Sequence, residues 1–254
     1  MLLSTQSTLV PVWTILSNLS KSMDKACGLV DGDILVYRVG FSVDDPAEEK
    51  FAISRMGNFV ENLIRLKGID SYEGYLTGKT NYRSEIATEQ PYKGNRKDAR
   101  KPVHYDTLRD YLISKWGFIV IEGQEADDAM GIKAYELPED SSCIMTIDKD
   151  LDMIRGWHYN FVKQDLYYVT EKEAIKNFYL QLLTGDRVDN IPGIKGIGPV
   201  KANKILENCT TEKSLFKAVS EKYDHDLDKI TERGRLLWIR REENQLWQLP
   251  NTSQ

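Results

Sequence analysis

The sequence predicts an α/β fold: a central, mainly parallel sheet flanked by helices, with a helical region from about residue 171 onward. Three observations predict it. From residue 28 short apolar runs alternate with helical stretches, the rhythm of strands joined by crossover helices. FIVIE (118–122) and CIMTI (143–147) are continuous apolar runs, as strands buried on both faces read. After Thr170 the pattern is helical throughout.

Taken in order, residues 1–22 are rich in Ser, Thr, Leu and Asn, with Lys21 as their first charge. They are expected to be a disordered leader or a mis-assigned start. The first strand is short and ends at Asp31, and residues 33–39 can open a helix. Phe51, Met56, Phe59, Val60, Leu63 and Leu66 recur at helical spacing and stop at Gly68. YEGYLT (72–77) reads as the second strand. Leu108, Tyr111, Leu112 and Trp116 share one face of a helix over 105–116, and 124–137 is a further helix. WHYNFV and LYYVT suggest a hairpin over 157–169. Helices are then expected at 171–184, 198–207, 212–222 and 228–247. The division is therefore a leader 1–22, an α/β domain 23–170 and a helical region 171–254.

With 254 residues, 41% of them apolar, the chain can build a core, which excludes wholesale disorder. Its 34 Lys and Arg against 39 Asp and Glu give a net charge of −5. That balance disfavours a polycation coating nucleic acid or anionic membrane, while leaving room for a local basic patch. Cys27, Cys143 and Cys209 have no metal or redox spacing, so reduced thiols in a cytoplasmic chain are expected. No signal peptide and no membrane span is expected.

Ligands of open parallel sheets bind beyond the carboxyl ends of the strands, and the acids cluster there. Asp31 follows the first strand, Glu125, Asp127 and Asp128 follow FIVIE, and Asp148 and Asp150 follow CIMTI. Asp186 and Asp189 lie beyond a helix in GDRVDN. Converging carboxylates cannot all ionise without cations among them. Oxygen-only ligands suit two Mg²⁺ or Mn²⁺ ions, a device for phosphodiester hydrolysis. An Asp between strand and helix also suits an N-cap, and Asp33 and Asp152 are read as caps or outer groups.

Residues 191–206 (IPGIKGIGPVKANKIL) combine Gly193, Gly196 and Gly198 with Lys195, Lys201 and Lys204. Glycines let backbone approach a ligand, and helix-start N–H groups attract anions, so this hairpin suits a grip on a DNA backbone. An ordinary interhelical turn is the plainer reading. Residues 79–101 carry seven Lys or Arg against three acids, a local +4, with Tyr82 and Tyr92 interleaved. That mixture, including Arg83, Lys93, Arg96, Lys97 and Arg100, suits single-stranded nucleic acid, or a solvated linker.

Together VDGD (30–33), YKGNR (92–96), EADD (125–128), TIDKDLD (146–152), GDRVDN (185–190) and GIKGIGPVKA (193–202) resemble the flap endonuclease/5′–3′ exonuclease superfamily, especially its bacteriophage and polymerase I-type members. The resemblance spans about residues 28–210. It implies a PIN-like nuclease domain over 23–170. Asp31, Glu125, Asp127, Asp128 and Asp148 would build one metal site, and Asp150, Asp186 and Asp189 a second. Lys93 and Arg96 would contact the scissile phosphate from a helical arch at about 79–104, with Tyr92 beside them. Residues 185–206 would form a helix–three-turn–helix motif holding duplex DNA and K⁺. The family's acid after the second strand is missing near Gly78, where water or Glu73 could substitute.

The resulting expectation is a Mg²⁺-dependent 5′–3′ exonuclease or flap endonuclease in replication or repair. It would act as a monomer on DNA 5′ ends, flaps or RNA primers, with a replicative polymerase or single-strand-binding protein as partner. A structure-specific DNA-binding accessory protein with weakened catalysis is the alternative, and an RNA-directed nuclease of related fold a third.

Overall fold

The computed structural model describes residues 23–96 and 99–250. The leader 1–22, Lys97 (an expected DNA contact) and Asp98 lie outside the described residues, as do residues 251–254.

The chain runs β1 (Ala26–Asp31), α1 (Gly32–Ser42), α2 (Glu49–Ile64), β2 (Ile69–Thr77), α3 (Arg83–Ile86), α4 (Tyr105–Trp116), β3 (Ile119–Ile121), α5 (Ala126–Glu136) and β4 (Ser142–Met145). A hairpin of β5 (Gly156–Asn160) and β6 (Asp165–Val169) follows. The sheet order is β3-β2-β1-β4-β5-β6, parallel except for that hairpin. Residues alternate faces along a strand. Val30, Leu76 and Met145 therefore join one core with α1, α2 and α4, while Leu29, Tyr75 and Ile144 join another against α5. Burial on both faces is why these strands read as continuous apolar runs. The chain leaves β1 for β2 and β3 on one side and returns on the other at β4. That reversal opens a crevice at the carboxyl ends of β1, β2 and β4.

A third core joins α6 (Glu171–Thr184), α7 (Pro199–Ile205), α8 (Glu212–Lys222) and α9 (Leu227–Leu237). The start of α6 was legible because Thr170 and Glu173 cap it reciprocally. Between α6 and α7 a short ladder joins β7 (Gly185–Asp186) to β8 (Ile191–Pro192).

Four expectations need correction. FIVIE is not a fully buried strand: β3 is the sheet edge, with Ile119 46% and Val120 38% exposed, while Phe118 is buried and Ile121 partly so. Apolarity alone cannot tell an edge from a centre. The last helix ends at Leu237 rather than 247. The carbonyls of Leu236 and Trp238 accept hydrogen bonds from Arg83 at 2.8 and 2.7 Å, which turns the chain away from the helix axis. The helix expected over 198–207 is the shorter α7. Over 79–104 the described residues hold α3 and a 3₁₀ turn at Gly94–Arg96, lying against the body instead of arching as helices. Lys93 N donates to the Asp189 carbonyl (3.0 Å), Asn190 Nδ2 to that of Pro91 (2.9 Å) and Arg96 Nε to that of Val188 (2.9 Å). The basic stretch is drawn onto the acids it faces.

Candidate metal centre

A cavity of about 970 Å³ opens at the crevice. Of the eight acids expected to bind metal, Asp31, Glu125, Asp127, Asp148, Asp150, Asp186 and Asp189 line it. Asp31 ends β1 and serves both readings: Oδ1 caps α1 by accepting from Ile34 N (3.0 Å), and Oδ2 accepts from Thr146 Oγ1 (2.7 Å). Asp148 accepts from Asp150 N (3.0 Å), which fixes the turn after β4. Asp186 accepts from Val188 N (2.7 Å) and so shapes the loop that presents Asp189.

The electrostatics are those of an acid cluster short of cations. Burial, added to by the charges of Asp33 and Asp148, pushes Asp31 up to about 7. Burial with the charges of Asp148 and Asp186 does the same to Asp150, also to about 7. Asp127 is driven well above the usual carboxylate range by burial and then by Asp31, Asp148 and Glu125. Buried like charges raise one another unless a cation lies between them. Such a donor set fits a hard divalent ion, although among the described residues no three side chains already converge as ligands of one ion.

Lys93 and Arg96 reach into the same cavity. Lys93 Nζ pairs with Glu125 and lies 3.7 Å from Asp189, whose other oxygen pairs with Arg96 at 2.7 Å. Lys93 sits at φ 53°, a backbone region that a lysine occupies rarely. The Glu125 and Asp189 charges outweigh burial and raise its pKa.

Asp128 is not brought to the cavity as a metal ligand, nor Arg83 to the surface as a DNA contact. They form a buried bidentate pair, 0% and 2% exposed, so Arg83 presents no guanidinium to solvent and Asp128 no carboxylate to the cavity. Tyr92 is turned inward, its hydroxyl donating to Glu125 (2.8 Å) or Asp189 (2.7 Å). Tyr82 is likewise covered, with the guanidiniums of Arg240 and Arg83 3.8 and 4.8 Å from its ring centre. Arg100 stays exposed but pairs with Asp44. Lys195, Gly196, Gly198, Lys201 and Lys204 lie on the surface. Gly193 is required because a Cβ there would stand 2.1 Å from the Thr184 carbonyl, and Gly196 because its φ is +80°. Lys201 Nζ donates to the Gly196 carbonyl at 2.8 Å, bracing the turn.

Glu73 does not replace the missing acid: it pairs with Lys133 (2.8 Å) and Tyr75 (2.6 Å), away from the cavity. Gly78 has no room for an acid, since a Cβ there would stand 2.5 Å from the Ile121 carbonyl oxygen. Sequence reasoning undervalued Asp33 and Asp152, which both line the cavity. Asp33 accepts from Thr77 N and pairs with Arg109, both at 3.0 Å. Its position two residues after Asp31 was the available signal.

No protein-family model matches the chain. Flap endonuclease Xni of Shewanella baltica is 24% identical over 218 residues, 80% of this chain and 82% of that protein. The 5′-3′ exonuclease of Mycoplasma pneumoniae is 27% identical over 219 residues, 74% of each. This chain is a homologue of the 5′-3′ exonucleases and flap endonucleases. DNA polymerase I of Bacillus caldotenax is 26% identical over 227 residues, 78% of this chain. The chain spans about a quarter or less of the length of such polymerase relatives. The fold is shared with the T5 D15 protein co-crystallised with metal ions, at a TM-score of 0.62 and 20% identity over 84% of this chain and 89% of that one.

Proposed function

We propose that this 5′ nuclease homologue is a divalent-metal-dependent phosphodiesterase that removes DNA 5′ ends or flaps, RNA primers among them. One observation carries the reading: nine carboxylates from four separate chain segments line one cavity that Lys93 and Arg96 also enter. Asp31, Glu125, Asp127 and Asp148 would hold one Mg²⁺ or Mn²⁺, and Asp150, Asp186 and Asp189 a second. When bound, the ions lower the pKa of an attacking water and stabilise the leaving oxygen.

The chain's own residues do the rest. Lys93 and Arg96 exchange their carboxylate partners for the scissile phosphate and hold it in line for attack. Lys195, Lys201 and Lys204 on the 185–206 hairpin hold the duplex backbone without reading sequence. K⁺ at that hairpin, a division near residue 170, a monomeric state, a polymerase or single-strand-binding partner and a cytoplasmic location extend the same reading. Among the described residues no helix is long and apolar enough to cross a membrane.

The space denied to an acid at Gly78 favours one alternative, an accessory protein that grips DNA and cleaves poorly. A 5′-labelled flap duplex separates the two. Cleavage in Mg²⁺ that EDTA stops supports the nuclease, whereas binding without cleavage supports the accessory protein.

A further inference from the structure

Behind the cavity wall, the Asp128 carboxylate has every acceptor position in use. Oδ1 accepts from Arg83 Nη2 (2.9 Å) and Arg240 N (3.0 Å), and Oδ2 from Arg83 Nη1 (2.5 Å) and Glu125 N (3.1 Å). A carboxylate offers about four lone-pair sites, so none remains for a cation. Arg83 is equally committed. Its Nε donates to the Leu236 carbonyl (2.8 Å), Nη2 also to that of Trp238 (2.7 Å), and Nη1 lies 3.6 Å from Glu125 Oε2. The pair thus touches Glu125 twice, at its backbone N–H and beside its carboxylate. It also ties down the segment that leaves α9.

We propose that Asp128 and Arg83 are positioning residues: they fix Glu125 from behind, fasten the segment after α9 to the site and hold no cation. The inference rests on the metal reading above. A buried ion pair is tolerable when its remaining donors and acceptors are satisfied, and here they are. Groups that hold a metal-ligating side chain in place set affinity without binding the ion, typically by about 10–100-fold.

The test is Mn²⁺ titration of the full chain, read by electron paramagnetic resonance, with a melting curve for each variant. Asp127→Asn should lose a bound ion. Asp128→Asn should keep the wild-type number of ions and bind them about 10–100-fold more weakly. Arg83→Lys should do the same, because it keeps the charge and loses the planar fork. An ion lost in Asp128→Asn overturns the inference. Wild-type Mn²⁺ affinity beside a lowered melting temperature overturns it too, leaving the pair purely structural. If Asp128→Asn does not fold, Arg83→Lys decides by the same criteria. A wild-type chain that takes up no Mn²⁺ overturns the metal reading itself and this inference with it, whereas the variant outcomes overturn the inference alone.

Discussion

Asp127 and Asp128 are consecutive residues in the first turn of α5, yet they belong to different regions. Asp127 faces the cavity, and among the described residues no hydrogen bond satisfies it. Its carboxyl is raised by burial and by three neighbouring acids. Asp128 faces the seam between α5, α3 and the segment after α9. Burial would raise its carboxyl as well, but the Arg83 charge and four hydrogen bonds outweigh burial and lower it. The cavity region concentrates charge that the fold leaves uncompensated, whereas in the seam Asp128 and Arg83 compensate each other. An unsatisfied acid is available to something from outside, and a satisfied one is part of the scaffold.

The sharpest way to break this contrast is to remove a cavity acid. Asp148→Asn should reduce flap cleavage to background while duplex binding persists, since the ion's charge is lost and the hairpin lysines remain. Persistent cleavage in that variant, or in EDTA, would remove the metal from the account. Removing the seam acid should act on stability as well as on ion affinity. Asp128→Asn leaves the buried Arg83 charge with only the Glu125 carboxylate, 3.6 Å from its Nη1, and breaking a buried pair costs about 3–5 kcal/mol, to be read from urea unfolding. Lys93→Ala should lower the single-turnover rate at saturating enzyme by about 10², and an effect confined to affinity would make Lys93 a guide for DNA only.

A pH titration sharpens the contrast further because the two regions have opposite slopes. Asp31 and Asp150 titrate near 7 in the folded state and near the ordinary value of about 4 when unfolded. Between those values the native chain holds more protons, so stability falls as pH rises. Asp128 contributes in the other sense: its lowered pKa stabilises fully above the unfolded value, and that contribution fades as pH falls through the folded one. In EDTA the melting temperature should therefore drop from pH 5 to pH 8. Mn²⁺ should restore it at pH 8, and Asp127→Asn should flatten the drop. The smallest effect is expected at the hairpin. Replacing Lys195 and Lys201 together should flatten the salt dependence of duplex binding, by about one log–log unit for each phosphate they no longer neutralise. An unchanged slope would leave the hairpin a simple turn.

Much of the site was legible because parallel strands all end on one side. Acids placed just after successive strands must then meet, whatever the loops between them do, and Asp31, Asp127, Asp148 and Asp150 illustrate it. The helices 105–116, 171–184 and 212–222 were legible to the residue because their caps are local, such as Gly117, Thr170 and Thr211. The basic stretch was legible as charge, but Arg83 and Tyr92 within it are turned inward. Tyr92 and Arg83 looked like nucleic-acid contacts because nothing nearby in sequence shows that acids 33 to 97 residues away will take them.

The sequence by itself therefore determined the layering of the fold, its strand-end acids and the glycine hairpin, since periodicity, caps and turn residues act over a few positions. Tertiary structure alone decided which of two adjacent acids faces the cavity and which is bonded into the seam. Successive helical residues point about 100° apart, so one step along α5 exchanges the cavity for Arg83, 45 positions away, and for the Arg240 backbone, 112 positions away. Partners at that separation leave no local pattern, and only the folded chain brings them to the same carboxylate.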